Sequence, residues 1–161
     1  MNSSTIDQLR KRDRMSQPTD FEALAEDTGF LLARLSGIVV RKTNEHLAPH
    51  ELRVRQYATL TLLCANEGIP QRLLAEQLGL DSSQVVALVD ELEAAGLAAR
   101  SVDAADRRLR QVTATERGRV TQQQAQAAIA AAREEALRML SPSEQQVLPA
   151  LLRKAMTERP T

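Results

Sequence analysis

The segment from residue 69 to 119 constrains the fold more than any other part of the chain. Within residues 70–78, the side chains that can pack against a neighbouring element stand three and four positions apart, which is the spacing of an amphipathic helix. They are Leu73, Leu74, Gln77 and Leu78. Pro70 suits the first helical position, where no N–H partner is missed. Gly79 permits a left-handed end. The segment therefore opens with a short helix and a tight turn.

A second helix is predicted directly after this turn. Asp81 can cap it, and Gln84 stands three residues later, as in a capping box. One side of this helix is apolar and would pack on the first helix: Val85, Leu88, Val89 and Leu92. The opposite side is formed by Ser83, Ala87, Asp90 and Ala94.

Two short strands follow, after a helix stop at Gly96. Residues 97–102 and 110–114 have strand character and flank a loop at residues 103–108 that carries two arginines. A helix, a turn, a helix and a β-hairpin describe a winged helix-turn-helix. The predicted fold class is therefore mainly α, with a small β-hairpin wing and with N- and C-terminal helices that form a dimerisation region.

The second helix of such a motif reads bases with its N-terminal turns when it enters the major groove. Those turns offer Ser82, Ser83, Gln84 and Ala87. An amide can bridge the edge of adenine and a methyl group can meet thymine, although the amide of Gln84 can serve in capping instead. Residues 81–95 contain no Arg or Lys, which are the usual partners of guanine. We therefore expect little reliance on G·C pairs.

Several stretches resemble the multiple-antibiotic-resistance regulator (MarR) family of bacterial winged helix-turn-helix regulators. They are residues 52–57, 88–100, 106–108 and 115–118, and the similarity extends over about residues 30–118. One departure is Ala114-Thr115, where the family has Leu-Thr. Thr115 can still cap the next helix, while the smaller Ala114 changes the packing under the wing.

The resemblance implies roles for the wing. Arg108 would enter the minor groove, where narrow A·T tracts concentrate negative potential. Asp106 would accept a hydrogen bond from an arginine and fix the loop, while other basic residues would contact the DNA backbone. These are Arg72, Arg100, Arg107 and Arg110. The alternative for each arginine is a solvated surface charge.

The resemblance also implies a mechanism. A homodimer would place two recognition helices in successive major grooves of a pseudo-palindromic operator in double-stranded DNA, and would repress by blocking polymerase. An unidentified small molecule, often a phenolic or other lipophilic anion in this family, would bind between the dimer helices and the DNA-binding lobe and shift the population away from DNA. Arg34 is the residue that we expect to contact its anionic group.

Composition agrees with a helical, cytoplasmic regulator associated with the nucleoid. The 161 residues include 2% aromatics and a single cysteine, and the net charge is zero. No signal peptide or membrane span is expected. The chain has no phosphate-binding loop or nucleophile motif, so no enzyme activity, catalytic residue, cofactor or metal is predicted. The segment after residue 98 is locally basic, whereas the second helix is acidic. That acidity supports the alternative of a winged-helix adaptor for a protein partner.

The flanking regions set the predicted domain organisation. Residues 1–18 form a flexible basic tail, or alternatively an arm that touches DNA. A single MarR-type domain covers residues 19–161, with a long helix starting near Asp20 at a capping box. Residues 19–48 and 119–161 supply the dimerisation helices around a winged helix-turn-helix at 53–118. Alternatively, the terminal helices pack within one subunit.

Two alternative modes of regulation, metal sensing and redox sensing, would involve other side chains. His46 and His50 could share zinc, but Pro49 separates them and no further ligand is near in sequence. We therefore expect a polar helix end there. Cys64 could sense oxidants, but it lies on the apolar face of a helix, where a small core residue is the expected role.

Overall fold

A computed structural model describes residues 24–102 and 110–157. The backbone divides into two compact units, of which the first ends at Ile38 and the second begins at Val39. This boundary falls inside helix α1 (Thr28–Leu47). The arrangement of the domain at residues 19–161 remains a prediction.

In the first unit the chain turns at Ala25 and Glu26 before α1 begins at Thr28. Asp27 Oδ1 accepts a hydrogen bond from the Phe30 N–H at 2.6 Å, so Asp27 caps the helix. The predicted start near Asp20 lies outside the described residues. Within the described residues the predicted long helix is interrupted at Ala25 and Glu26, because the cap at Asp27 starts a new helix.

The second unit contains the winged motif and the C-terminal helices. After α1, a 3-10 turn (Ala48–His50) leads to helix α2 (Val54–Cys64). The remaining elements, in chain order, are β1 (Ile69–Pro70), α3 (Gln71–Leu78), α4 (Ser82–Ala94), β2 (Ala98–Val102), β3 (Arg110–Ala114), α5 (Glu116–Ala136) and α6 (Pro142–Met156).

The three strands form one antiparallel sheet in the order β1–β3–β2. Val112 in the central strand pairs with Ile69 on one side and with Arg100 on the other. Pro70 is therefore part of an edge strand, where a residue without an N–H is tolerated. It stands immediately before α3 as its N-cap, which corrects the prediction that it occupies the first helical position.

The core of the second unit lies between α2, α3, α4 and the sheet. All of these elements contribute fully buried side chains, and α1 and α5 add Leu47 and Ala125. Those from the winged motif are Leu60, Leu63, Ile69, Leu74, Val85, Val89, Leu92 and Val112. The predicted apolar face of the second helix is thus confirmed. In α3, however, Leu74 and Ala75 point inward, whereas Leu73 is 39% exposed and Gln77 is exposed. The predicted stripe was wrong at these two positions.

Helix α5 is anchored under the wing at its first turn. Thr115 Oγ1 accepts a hydrogen bond from the Gly118 N–H at 3.0 Å and donates one to the Gly96 carbonyl at 2.8 Å. Gly118 packs so closely that an added Cβ would overlap the Leu97 carbonyl oxygen. The prediction that Thr115 caps this helix is confirmed, and Ala114 beside it is buried.

Helix α6 begins at a capping box, in which the Ser141 N–H donates to Glu144 Oε2 at 2.7 Å. Pro149 does not interrupt the helix, and none of its residues is buried. Leu151 is 59% exposed, and Val147 and Met156 are also exposed. Over the described residues, no helix has the length and apolar character needed to cross a membrane.

Candidate nucleic-acid interface

The turn between α3 and α4 fixes the angle at which α4 is presented. Gly79 adopts the predicted left-handed conformation, with φ 61° and ψ 39°. Its neighbour Leu80 donates its N–H to the Ala75 carbonyl at 3.0 Å, which satisfies an end group of α3. Since a residue with a Cβ is strained in this conformation, a glycine is suited to the position.

The N-terminus of α4 is held by Asp81 and Gln84. The Asp81 N–H donates to Gln84 Oε1 at 3.2 Å, as in the predicted capping box. The amide oxygen of Gln84 is thus used in capping, the alternative that the sequence left open. A contact between Gln84 and a base remains a prediction.

The first two turns of α4 present small, uncharged side chains to solvent. Ser82, Ser83 and Ala87 are exposed, as expected for base-reading positions. Val86 is 43% exposed beside them, which the sequence analysis missed. The sequence did carry a signal for this exposure, because Val86 lies between Val85 on the predicted apolar face and Ala87 on the opposite side. Two apolar side chains therefore stand on the surface that the motif offers to a major groove.

Acidic side chains occupy the later turns of α4, and Arg100 of β2 lies against two of them. Arg100 Nη1 is 2.7 Å from Asp90 Oδ1 and also pairs with Glu93 Oε2. Glu91 accepts a hydrogen bond from Gln56 Nε2 at 2.8 Å. Burial lowers the pKa of Arg100, but its hydrogen bonds to Asp90 and Glu93 outweigh burial and raise the pKa above its ordinary value.

Among the remaining predicted DNA contacts, the structure describes the side chain of Arg72 and the backbone of Arg110. Arg72 on α3 is almost fully exposed, with its Nε 3.7 Å from Glu76 Oε1. Arg110 is described by its backbone pairing with Val102. Asp106, Arg107 and Arg108 lie outside the described residues, so their roles remain predictions.

A shallow, largely apolar cavity of about 390 Å³, widely open to solvent, lies in the second unit. Its walls include the hydroxyl-bearing side chains Thr43, Tyr57 and Thr61, together with Leu62 and Ile129. No lining side chain carries a formal charge. The cavity therefore fits an uncharged, partly apolar group with a polar substituent.

The two histidines do not share a site. His46 Nε2 is 2.8 Å from Glu135 Oε2, and Lys42 Nζ is 2.7 Å from the other oxygen of this carboxylate. His50 ends the 3-10 turn. Across residues 24–102 and 110–157, no group of three or more His, Cys, Asp or Glu side chains could hold a metal ion.

Cys64 lies at the C-terminus of α2 and is partly buried. Burial raises the pKa of its thiol, although Arg119 opposes this effect. The sequence analysis missed Arg119, whose Nη1 is 3.4 Å from the Cys64 carbonyl oxygen, because the two residues are 55 positions apart. A raised pKa disfavours the reactive thiolate and so the redox variant.

Comparisons with known proteins point to one family. The sequence model of the MarR family matches residues 50–109. A MarR-family transcriptional regulator from Rhodococcus sp. RHA1 is 40% identical, with a TM-score of 0.77 over 82% of this chain and 94% of that one. CouR from Rhodococcus jostii RHA1, solved with p-coumaroyl-CoA, is also 40% identical, with a TM-score of 0.74 over 86% and 98% of the two chains. The repressor Rv2887 of Mycobacterium tuberculosis (strain ATCC 25618 / H37Rv) is 27% identical over 133 residues, which are 81% of this chain and 96% of Rv2887.

Proposed function

Because the chain belongs to the MarR family of transcriptional regulators, we propose that it is a dimeric repressor of a pseudo-palindromic operator, released by a small-molecule effector. The observation that carries this proposal is the exposed N-terminal part of α4. A glycine turn precedes it, and a capping box holds its first turn. Rigid presentation of such a surface is what a helix entering the major groove requires. We place the protein in the cytoplasm, at its operator.

The operator half-sites are rich in A·T pairs. Val86 and Ala87 can contact thymine methyl groups, and Ser82 and Ser83 can hydrogen-bond to either type of base pair. Because α4 has no Arg or Lys, the bidentate contact to guanine is lacking in this helix. Arg108 in the wing would add minor-groove contact, which also favours narrow A·T tracts.

The positions of the phosphate contacts follow from the same docking. Arg72 extends from α3 into solvent, and Arg107 and Arg110 belong to the wing segment. These side chains would position the protein without reading sequence, while Asp106 would orient the wing loop.

Dimerisation supplies the second half-site contact. The exposed apolar side chains of α6, among them Val147, Leu151 and Met156, would be unfavourable in water and are suited to burial against a second copy. A symmetric dimer would then present two α4 helices about one turn of DNA apart, or roughly ten base pairs.

The effector site is the cavity beside Tyr57 and Thr61. Its uncharged lining suits an aromatic ring with a hydroxyl group, and the relative CouR was solved with p-coumaroyl-CoA. We therefore propose an aromatic acyl thioester of coenzyme A, whose aryl group occupies the cavity while the charged coenzyme portion remains in solvent. The expectation that Arg34 contacts an anionic effector stays a prediction of the sequence and is independent of this cavity.

Selection of the purified protein against a random duplex library tests the proposal. A palindrome with half-sites about ten base pairs apart, bound with an affinity that falls steeply with salt, is the expected result. Addition of p-coumaroyl-CoA should release the duplex, whereas p-coumarate or coenzyme A alone should release much less. If no duplex is enriched, the repressor proposal fails and the adaptor for a protein partner replaces it.

A further inference from the structure

Arg100 joins three elements of the winged motif through a single side chain. It belongs to β2, and its Nη1 reaches Asp90 and Glu93 on α4. Its Nε donates to Gln71 Oε1, at the start of α3, at 3.3 Å. Its backbone N–H also donates to Glu93 Oε1 at 2.6 Å. The wing strand, the recognition helix and the preceding helix are thereby tied to one guanidinium.

This guanidinium has little capacity left for another partner. Of the five N–H groups of an arginine, two at Nη1 face Asp90 and Glu93 and the one at Nε faces Gln71. Nη2 approaches the Val86 carbonyl oxygen at 3.5 Å. The side chain is 22% exposed. A bidentate contact to a DNA phosphate would require these bonds to be broken.

The positive charge of Arg100 offsets the negative charges of Asp90 and Glu93 on α4. Asp90 is exposed and lies on the same side of α4 as Ser83 and Ala87, so in a complex it would stand near the phosphate backbone. Carboxylates there repel phosphates over about 10 Å or less at moderate salt. Arg100 partly neutralises Asp90 and Glu93 and holds them on the wing side of the helix. An acidic recognition helix is thus compatible with DNA binding.

We propose that Arg100 is a positioning residue for operator binding, which neutralises Asp90 and Glu93 and fixes α4 against β2, and that it is not a phosphate contact. This inference rests on the proposed DNA-binding function. It replaces the role that the sequence predicted for Arg100 and leaves the proposed roles of Arg72 and Arg108 unchanged.

The test compares Arg100→Met with the triple variant Arg100→Met/Asp90→Asn/Glu93→Gln. We expect Arg100→Met to lose about tenfold or more in operator affinity, because removing one partner leaves two carboxylates uncompensated. The triple variant should return to within about threefold of the wild type, because the repelling charges are gone as well. Arg41→Met, which removes an exposed arginine paired with Glu45 on α1, controls for the loss of one positive charge.

The salt dependence separates positioning from contact. A lost phosphate contact lowers the slope of log affinity against log salt by about 0.9. If both Arg100 variants bind equally weakly with a slope lowered by that amount, Arg100 is a DNA contact and the proposal is overturned. Unchanged affinity of Arg100→Met overturns it too. If Arg100→Met does not fold, the salt slope of the triple variant decides, since a lost phosphate contact lowers that slope by about 0.9 whereas a positioning role leaves it unchanged. A wild type that binds no duplex would instead refute the proposed function.

Discussion

Gly118 occupies the tightest position at the level of single residues. Its N–H reaches Thr115 Oγ1, and a Cβ at this position would overlap the Leu97 carbonyl oxygen and lie 3.1 Å from Leu60 Cδ1. Thr115 and Gly118, within the family-like stretch at residues 115–118, therefore combine a helix cap with a close approach of α5 to the chain before β2. A larger residue would push α5 away from the wing.

Gly118→Ala should destabilise the protein by about 1–3 kcal/mol, because the added methyl forces a backbone shift in a packed region. Urea unfolding followed by circular dichroism measures this change. Gly37→Ala on α1 is the matched control, since no described atom lies within 4 Å of its added Cβ and alanine favours a helix. If Gly118→Ala changes the free energy of unfolding no more than Gly37→Ala does, the packing argument is contradicted.

Glu135 makes the stability dependent on pH. Its bonds to Lys42 and then His46 lower its pKa from 4.5 to about 2 in the folded protein. A lowered folded-state pKa adds stability above pH 4.5, and this contribution is lost as the pH falls toward 2. We therefore expect Glu135→Gln to lower Tm at pH 7 and the difference from the wild type to shrink between pH 4.5 and 2.

Thermal unfolding at a series of pH values tests this, with Glu134→Gln as the control because Glu134 is exposed and directly adjacent. A difference in Tm that stays constant down to pH 2 would show that the Glu135 ion pairs do not cause it. The sequence could not have predicted these pairs, because His46 and Glu135 are separated by 89 positions. Contacts at that distance depend on how α1 and α5 pack, which local patterns do not encode.

At the level of elements, α4 is the part of the molecule that we propose selects DNA sequence. Ala87→Arg places a guanidinium at a base-reading position, and we expect a new preference for guanine at one position of each half-site. A good bidentate pair discriminates by roughly 1–3 kcal/mol, so the operator variant with that G·C pair should gain about tenfold over the others. Anisotropy titrations with a set of single-base operator variants measure this.

Ala94→Arg provides the control for charge, since Ala94 is exposed on the same side of α4, two turns further on. It should strengthen binding to all operators about equally. If Ala87→Arg does the same, then Ala87 does not face the bases and the docking proposed for α4 is wrong.

The elements also show which features a sequence can reveal. The caps at Asp81 and Thr115 were predicted because each depends on residues within three positions. The strand at Ile69 and Pro70 was missed, because two residues carry no alternation and their partner strand lies about 40 positions later. The exposure of Leu73 was missed for a related reason. Helical spacing fits several faces of a short helix, and contacts with α2 and the sheet decide which one is buried.

At the level of the whole molecule, the proposed dimer depends on α6, which would allow two half-sites to be read together. Leu151→Glu places a charge in the apolar stripe that we assign to the dimer, so the dimer should dissociate and operator affinity should fall by about a hundredfold or more. This loss reflects the missing second half-site, since linked binding exceeds single-site binding by factors of 10² to 10⁴. Sedimentation equilibrium gives the oligomeric state and anisotropy gives the affinity.

Gln146→Glu is the matched control, because Gln146 lies on the opposite side of α6 and is also exposed. It should leave the dimer intact. If Leu151→Glu is also dimeric, then α6 does not form the interface through this face, and the terminal helices would pack in some other way.

The bonds of Arg100 also have a meaning for protein engineering. A recognition helix is commonly treated as an exchangeable module, which can be replaced to retarget a regulator to a new operator. Here the acidic residues Asp90 and Glu93 of the helix are paired with Arg100, which belongs to the strand that follows it in the chain. A grafted helix without acids at those two positions would leave an unpaired cation beside the groove and raise affinity for any DNA. The smallest transferable unit is therefore the helix together with the first strand of its wing.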